Sequence, residues 1–331
     1  MKIHDILNKP MRLTDPICVH GLGIIPMVAD DEVNIADLDL LEEALLKGTV
    51  RITETSESGE VPFLKLENTG QNSLLILEGE ELVGGKQNRI VNTSIVILGG
   101  IAIKIPVSCM ERHRWHGQHE DFVSGEAVFP AKSRAKQKAS VSYNLVREGS
   151  FRSDQGAVWD EVRLSLHQMS AASPTANFRA ARDKAAHQIE SFVEAFHPAT
   201  GQIGAIFVSK HGILGLELFA TSELFGRCTK KVIRSFAFEV LSDENLSAVP
   251  SDAVTAWWGN VREATLARHS SPGAGEDLRV EVGNLIGSGL FWNDALVHFS
   301  CFPGEDASGI SENVTSRRAS ASERRRRSNQ R

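Results

Sequence analysis

The sequence predicts an α+β fold: a mainly antiparallel β lobe, sandwich or barrel-like, with several packed helices. Short β-branched runs follow one another between Thr49 and Val107, separated by turns that contain Gly or Asn. These turns are too short for the crossover connections that parallel strands require. Apolar residues then recur at helical spacing between 131 and 196, and strand-like segments return after Gly201.

The first third of the chain is predicted to be mostly strand. Residues 16–29 are punctuated by Gly and rich in β-branched residues, which favours one or two short strands. Asp37–Lys47 is the exception, because its leucines recur at helical spacing and Gly48 follows as a stop signal. Further strands are predicted at TVRITET, VPFLKLEN, SLLILEGEEL, RIVNTSIVI and IAIKIPV.

Helices dominate the middle of the chain, and strands return towards its end. Apolar residues repeat at intervals of three and four, which predicts helices over 131–146, 154–169, 178–196, 223–241 and 252–269. Residues 201–219 indicate a hairpin that turns near Lys210. The segments LRVEVGN and GLFWNDALVHFSCF supply the last strands, so the folded part is predicted to end near Phe302.

The length of 331 residues exceeds the ~250–300 residues at which a single core stops growing. We therefore expect a β-rich lobe at 1–118 that carries the polar motifs, and a helical and β lobe at 119–302 packed on it as one compact unit. Residues 317–331 contain seven arginines against one glutamate and no large apolar residue. The segment 303–331 is accordingly predicted to be a disordered, Arg-rich tail.

Composition narrows the classes of protein that fit. No apolar run reaches the ~18–20 residues of a membrane span, and the first residues lack a signal-peptide pattern. The four cysteines form no CxxC pair, which favours reduced thiols and a cytoplasmic location without membrane contact. The net charge of −6 argues against nucleic-acid binding, except through the Arg-rich tail.

A first polar cluster follows the strand SLLILEGEEL. Glu78, Glu80 and Glu81 lie where this strand ends, before a Gly84–Gly85 turn. Glycines allow a close approach to a ligand, and cations beside them suit phosphate or carboxylate oxygens. The alternative is a solvated hairpin whose charges pair across its strands. The polar residues after the turn are Lys86, Gln87, Asn88 and Arg89.

A second polar cluster is the segment IPVSCMERHRWH, at the end of another predicted strand. Cys109 is a candidate nucleophile, or alternatively a small buried hydrophobic residue. His113, His116 and His119 raise the question of metal binding, but neither HExxH nor paired CxxC spacing is present. We therefore expect no metal and no cofactor. The remaining polar candidates of this segment are Glu111, Arg114 and Trp115.

A third cluster is the segment SDQGAVWDEV, at the predicted start of a helix. Asp154 has the character of a helix N-cap, whereas capping does not account for Gln155. The sequence contains no phosphate-loop, Rossmann or nucleophile-elbow pattern. An ordinary nucleotide-binding α/β fold is therefore not predicted.

These segments resemble a known family. LEGEELVGGKQNRIVNTSIVI, IPVSCMERHRW and SDQGAVW, followed by GQIGAIF and ELF, are similar to the ARG-and-rhodanese-phosphatase-superfamily-associated protein domain. The resemblance extends from about Ile17 to Phe302. Because the family is named for its association with ADP-ribosylglycohydrolases and rhodanese-like phosphatases, the resemblance implies a role in ADP-ribose or NAD metabolism. It supplies no catalytic assignment.

Three functions remain open, and whether the protein is an enzyme stays undecided. The first is a ligand-binding protein, a hydrolase, that acts on an ADP-ribose-like or phosphorylated ribose compound. The second is a noncatalytic sensor or adaptor for the same ligands or for an ADP-ribosylglycohydrolase-type partner enzyme. The third is a purely structural salt-bridge network between the lobes.

The first function assigns a role to each polar residue. Arg114, with Lys86 and Arg89, would hold anionic groups, and Trp115 would stack on a base or sugar. The catalytic candidates are Glu81 or Glu111 as general base and Cys109 as nucleophile. The set of ligand-binding candidates is completed by Gln87, Asn88, Asp154 and Gln155.

Overall fold

A computed structural model describes residues 1–7, 10–30, 33, 35–115, 121–243, 246, 249, 251–280 and 283–304. Its sheets are mostly antiparallel and helices pack against them, which confirms the predicted α+β fold class with its β lobe. His116, His119 and nearly all of the predicted tail lie outside the described residues.

Local capping signals fix several helix ends. Asp154 accepts hydrogen bonds from the amides of Gly156 and Ala157 at 2.9 and 3.2 Å, and so begins the fourth helix. Gly149 ends the third helix with a φ of 63°, a left-handed conformation that glycine adopts readily. The helices are α1 Ile3–Leu7, α2 Leu41–Leu46, α3 Ala131–Glu148, α4 Gln155–Gln168, α5 Phe178–Ala195, α6 Ser222–Ala237 and α7 Ser251–Glu263, with a 3-10 turn at Phe238–Val240.

The strands range from three to nine residues in length. Their bounds are β1 Met11–Leu13, β2 Ile17–Val19, β3 Leu22–Ala29, β4 Leu38–Leu40, β5 Val50–Glu54, β6 Phe63–Asn68, β7 Ser73–Ile76, β8 Glu80–Gly84, β9 Arg89–Val91, β10 Ile95–Ile97, β11 Ile101–Cys109, β12 Phe122–Val128, β13 Gln202–Ser209, β14 Gly212–Phe219, β15 Leu266–Ser270, β16 Glu276–Val280, β17 Leu285–Trp292 and β18 Ala295–Pro303.

The strands form three sheets. The largest has nine strands in the order β1-β3-β13-β14-β18-β17-β16-β15, with β2 also paired to β3. A three-stranded sheet has the order β10-β7-β4, in which β4 and β7 are parallel. The third sheet has six strands in the order β12-β8-β9-β11-β6-β5. This sheet is strongly curved, because a bridge between Thr53 and Asp121 links its two edges, and we refer to it as the half-barrel.

The three-stranded sheet lies between two apolar cores. Leu75 of β7 packs into the core beneath α6 and the nine-stranded sheet, whereas Leu74 and Ile76 enter the core of the half-barrel. This alternation follows from the two-residue period of a strand. A further core covers the other face of the nine-stranded sheet with α1 and α7, and α4 and α5 cover the outside of the half-barrel.

Four predicted elements differ in the structure. The predicted strand RIVNTSIVI divides into β9 and β10, which belong to different sheets, and the helix predicted over 252–269 ends at Glu263, because the residues after it form β15 and pair with β16. The predicted strand SLLILEGEEL divides into β7 and β8, which belong to different sheets. Gly79 lies between them with a φ of 73°, a conformation that interrupts a strand. The helix predicted over Asp37–Lys47 begins only at Leu41, because the residues before it form β4 and pair with β7.

Strands from both sides of residue 118 share sheets. Strand β12 joins the half-barrel, and β1 to β3 join the nine-stranded sheet with the C-terminal strands. The division into lobes at 1–118 and 119–302 stays a prediction. Within the described residues, none of the helices combines the length and the apolar character that a membrane span requires.

Candidate functional site

The first two polar clusters lie together at one end of the half-barrel. Strand β9 pairs with β11, which places Arg89 opposite Cys109. Strand β9 also pairs with β8, which places Arg89 opposite Leu82. Paired residues project to the same side of a sheet, and Leu82 lies in the core of the half-barrel. Arg89 therefore projects into the interior of the half-barrel.

Arg114 fastens the two segments to each other. Its Nη1 donates to the carbonyl of Gly85 at 2.6 Å, and its Nη2 donates to the side-chain oxygen of Asn88 at 3.1 Å. Glu111 holds Arg114 in place through a 2.8 Å hydrogen bond from Nε. Glu111 also accepts from the hydroxyl of Thr175 at 2.6 Å. These contacts hold the two segments in position, and they occupy the side chains of Arg114 and Glu111.

The Gly84–Gly85 turn packs against protein rather than opening to solvent. A Cβ at Gly84 would lie 2.4 Å from the carbonyl oxygen of Asp121, and one at Gly85 would lie 2.2 Å from the Phe122 ring. The glycines therefore allow the turn to approach β12 closely. The amide of Lys86, which follows the turn, donates to Glu54 Oε1 at 3.0 Å.

Arg89 is the largest fully buried side chain of the cluster, with 0% of its surface exposed. Its Nη1 donates to the side-chain oxygen of Gln87 at 3.1 Å. Among the described residues, its Nε and Nη2 have no hydrogen-bond partner. The nearest carboxylate is Glu54, whose Oε1 lies 3.7 Å from Nη2, beyond hydrogen-bond distance. Buried guanidinium groups normally satisfy all their donors, so this is an exception that calls for an explanation.

Trp115 covers this end of the half-barrel. Its ring centre lies 5.8 Å from Arg89 Cζ and 5.9 Å from Lys86 Nζ, which are cation–π distances. The side chain is 39% exposed, so one part of the ring faces solvent while the other faces the buried cation. We refer to Glu54, Lys86, Arg89 and Trp115 as the Arg89 site.

Two of the catalytic candidates have environments that differ from an open active site. Burial raises the pKa of the Cys109 thiol to about 11, although Arg89 beside it acts in the opposite direction. Glu81 pairs with Ile90 of β9, so it projects from the outer face of the half-barrel, where it contacts Arg182 of α5. Burial raises the pKa of Glu81 despite this arginine.

Gln155 contacts the end of β11 rather than the Arg89 site. The Gln155 side chain accepts from the amide of Cys109 at 2.8 Å and donates to its carbonyl at 2.7 Å. It therefore extends the pairing of the strand as another strand would. Asp154 caps α4, as its position predicts.

Sequence reasoning missed Glu54, although a signal for it exists. Val50 and Ile52 of β5 face the core of the half-barrel, and the two-residue period of the strand places Glu54 on the same face. A carboxylate in the apolar register of a predicted strand is a buried polar group, and such groups need partners. Glu54 Oε2 is buried and has no hydrogen-bond partner within the described part of the chain.

A group of buried charged residues lies between the sheets, and the sequence analysis named Glu78 of this group but missed its partners. Glu78 accepts hydrogen bonds from Arg134 Nη2 at 2.9 Å and Ser300 at 2.7 Å, and it contacts Lys138 directly. Arg134 also donates to Glu217 at 2.5 Å. Burial alone would raise the pKa of Glu78, but Lys138 and Arg134 lower it well below its usual value. We refer to Glu78, Arg134, Lys138, Glu217, Ser288, His298 and Ser300 as the interior network.

The interior network joins the motif segment to the C-terminal sheet. His298 of β18 contacts Glu217 at 2.7 Å and Ser94 at 2.9 Å through its two ring nitrogens. Glu80 of β8 contacts Lys231 of α6, which also donates to Glu42 at 2.5 Å. Much of the charge in the first motif is therefore committed to holding helices and sheets together.

Comparison with known proteins identifies the family. The ARG and Rhodanese-Phosphatase-superfamily-associated Protein domain matches residues 10–302. The chain belongs to this family. The match covers the Arg89 site and the interior network alike, and it confirms the resemblance carried by the motifs. Neither a search of curated proteins nor a search of solved structures found a match.

Proposed function

We propose that this protein binds a phosphorylated ribose compound of the ADP-ribose class at the Arg89 site. The observation that carries the proposal is the fully buried Arg89, whose Nε and Nη2 lack partners among the described residues. Two adjacent guanidinium donors match two oxygens of a phosphate group. The name of the ARG and Rhodanese-Phosphatase-superfamily-associated Protein domain supports this ligand class by association.

Three residues of the site have a role in this binding. Arg89 and the amine of Lys86 would hold phosphate oxygens, and Trp115 would stack on the base. Lys86 and Arg89 both lie within 6 Å of the Trp115 ring, so a single ligand can contact all three side chains. A nucleoside diphosphate sugar carries the anionic and aromatic groups that this arrangement accommodates.

We favour binding without turnover, as in a sensor or adaptor. Glu111 is committed to Arg114 and Thr175. The Cys109 thiol, with its pKa raised to about 11, is protonated near neutral pH and is a weak nucleophile. In this role the ligand-bound protein would act on a partner enzyme of the ADP-ribosylglycohydrolase type.

Hydrolysis is the second candidate, and one observation favours it. Glu81 Oε1 is buried and lacks a hydrogen-bond partner within the described residues. Burial raises the pKa of Glu81, which is a property of carboxyl groups that transfer protons near neutral pH. Substrate would have to reach this carboxyl from the α5 side of β8.

The test is a thermal-shift and calorimetric comparison of ADP-ribose, NAD and ribose 5-phosphate. A ligand at a hundred times its dissociation constant should stabilise the wild-type protein by ~2.7 kcal/mol. Trp115→Ala should weaken ADP-ribose binding by about 1–3 kcal/mol, because base stacking is lost. Lys86→Met should also weaken it, whereas Lys65→Met, which removes an exposed lysine of β6, should not.

Product analysis separates the two candidates. Binding heat without product supports the sensor, whereas product formation that Glu81→Gln abolishes supports hydrolysis. The proposal fails if none of the three compounds stabilises the wild-type protein, or if Lys86→Met and Lys65→Met bind ADP-ribose equally well.

A further inference from the structure

The Arg89 site contains an unsatisfied acceptor as well as unsatisfied donors. Glu54 Oε1 accepts from the amide of Lys86 at 3.0 Å, which leaves Oε2 as the free oxygen of the carboxylate. This Oε2 is buried, and no described residue donates a hydrogen bond to it. A ligand that offers only phosphate oxygens would satisfy Arg89 and leave Glu54 without a donor.

Two glycine-containing turns approach the Glu54 carboxylate closely. A Cβ at Gly85 would lie 2.9 Å from Glu54 Oε1, and one at Gly59 would lie 3.3 Å from Oε2. Both glycines have positive φ, 47° and 74°, a region that other residues rarely adopt. Residues without side chains therefore flank the carboxylate on both sides.

The charge of the site also argues against a simple phosphate ligand. Lys86 and Arg89 supply two positive charges, and Glu54 supplies a negative charge 3.7 Å from Arg89 Nη2. A free phosphate beside a carboxylate meets repulsion as well as attraction. A hydroxyl group on the same ligand would turn this carboxylate into a favourable contact, since carboxylates commonly accept hydrogen bonds from ribose hydroxyls.

We infer that Glu54 accepts a hydrogen bond from a ribose hydroxyl, and that it selects phosphorylated sugars over phosphates that lack a hydroxyl. This inference rests on the proposed function, because it assumes that Arg89 and Lys86 hold the phosphate. The ribose hydroxyl then lies beside Glu54 Oε2, the phosphate lies beside Arg89 and Lys86, and the remainder of the ligand extends towards Trp115.

The experiment compares ribose 5-phosphate with methyl phosphate by calorimetry. The wild-type protein should bind ribose 5-phosphate roughly tenfold more tightly or better, because methyl phosphate leaves a buried acceptor unpaired. Glu54→Gln retains an oxygen for the Lys86 amide but places a donor where Oε2 stood. In this variant the affinity for ribose 5-phosphate should fall and the affinity for methyl phosphate should rise.

The matched control is Glu57→Gln, which removes the same charge from an exposed position three residues away. Its preference should equal that of the wild-type protein. A preference that persists in Glu54→Gln overturns the inference and leaves the proposed function standing. If the wild-type protein binds ribose 5-phosphate and methyl phosphate equally well, the inference is also overturned and the proposed function stands. This outcome does not depend on whether Glu54→Gln folds. An absence of any binding to the wild-type protein overturns the proposed function, and the inference with it.

Discussion

Replacing Lys138 with Met should destabilise the protein strongly, although Lys138 lies outside the Arg89 site. Its amine contacts Glu78 and Ser288 and donates to Ser300 at 2.8 Å, and the side chain is 1% exposed. Met fills the space of the lysine stem but removes the charge. Loss of one partner from a buried ion pair costs roughly 3–5 kcal/mol, because the other charge remains buried.

The structure places this cost at the lower end of that range. After the substitution Glu78 still accepts from Arg134 at 2.9 Å, Ser288 at 2.9 Å and Ser300 at 2.7 Å. Three donors therefore continue to stabilise the carboxylate. We expect a loss of about 3 kcal/mol in the free energy of unfolding, near the minimum for a stranded buried charge.

The assay is urea unfolding followed by tryptophan fluorescence, with Lys132→Met as the control. Lys132 lies on the same helix, but its side chain is 65% exposed and its amine is 3.6 Å from Glu239. The control should lose no more than ~1 kcal/mol, because the lysine side chain is exposed and Glu239 keeps its 2.8 Å hydrogen bond from the backbone amide of residue 132. Equal losses in Lys138→Met and Lys132→Met would refute the reasoning.

Two further predictions concern Glu78, and a third concerns the cysteines. Lys138→Met combined with Glu78→Gln should lose less stability than the two single losses added together, by ~0.5–3 kcal/mol, which a double-mutant cycle measures. The pKa of Glu78 is lowered in the folded protein, so its ion pairs stabilise the fold fully above the usual pKa of 4.5. This stabilisation is lost as the pH falls below that value. The urea midpoint should accordingly fall less steeply with acidification in Glu78→Gln than in the wild-type protein. A thiol reagent near neutral pH should label exposed Cys18 quickly, and rapid labelling of Cys109 in the folded protein would contradict its buried, pKa-raised state.

Periodicity made the regular elements predictable. The helices over 131–146, 154–169 and 178–196 agree closely with α3, α4 and α5, because each has an apolar stripe and a local end signal. The hairpin over 201–219 matches β13 and β14 for the same reason. These features depend on residues close together in the chain, so the sequence contains the information needed to place them.

The division of SLLILEGEEL and the partners of its acids could not be predicted in this way. Glu78 is bound by Arg134 and Ser300, which lie 56 and 222 positions further along the chain. Such pairs form only when the sheets pack, and no local pattern marks them. Glu54 is different, since the apolar alternation of β5 already placed it inside the half-barrel.

Clustering of charged residues in a sequence does not by itself identify a binding site. Glu78, Glu80 and Glu81 are each committed to a cation on another element, and Arg114 is committed to the turn beside it. A side chain whose hydrogen bonds are satisfied within the protein gains little from a ligand, because binding would replace existing contacts. Arg89 and Glu54 differ in bringing unpaired buried donors and an unpaired buried acceptor together among the described residues, whereas Glu81 has one unpaired oxygen and pairs the other with Arg182. Unpaired buried donors and acceptors carry a desolvation cost that a ligand can remove, and for this reason we propose the site at Arg89 rather than at the more acidic end of the motif.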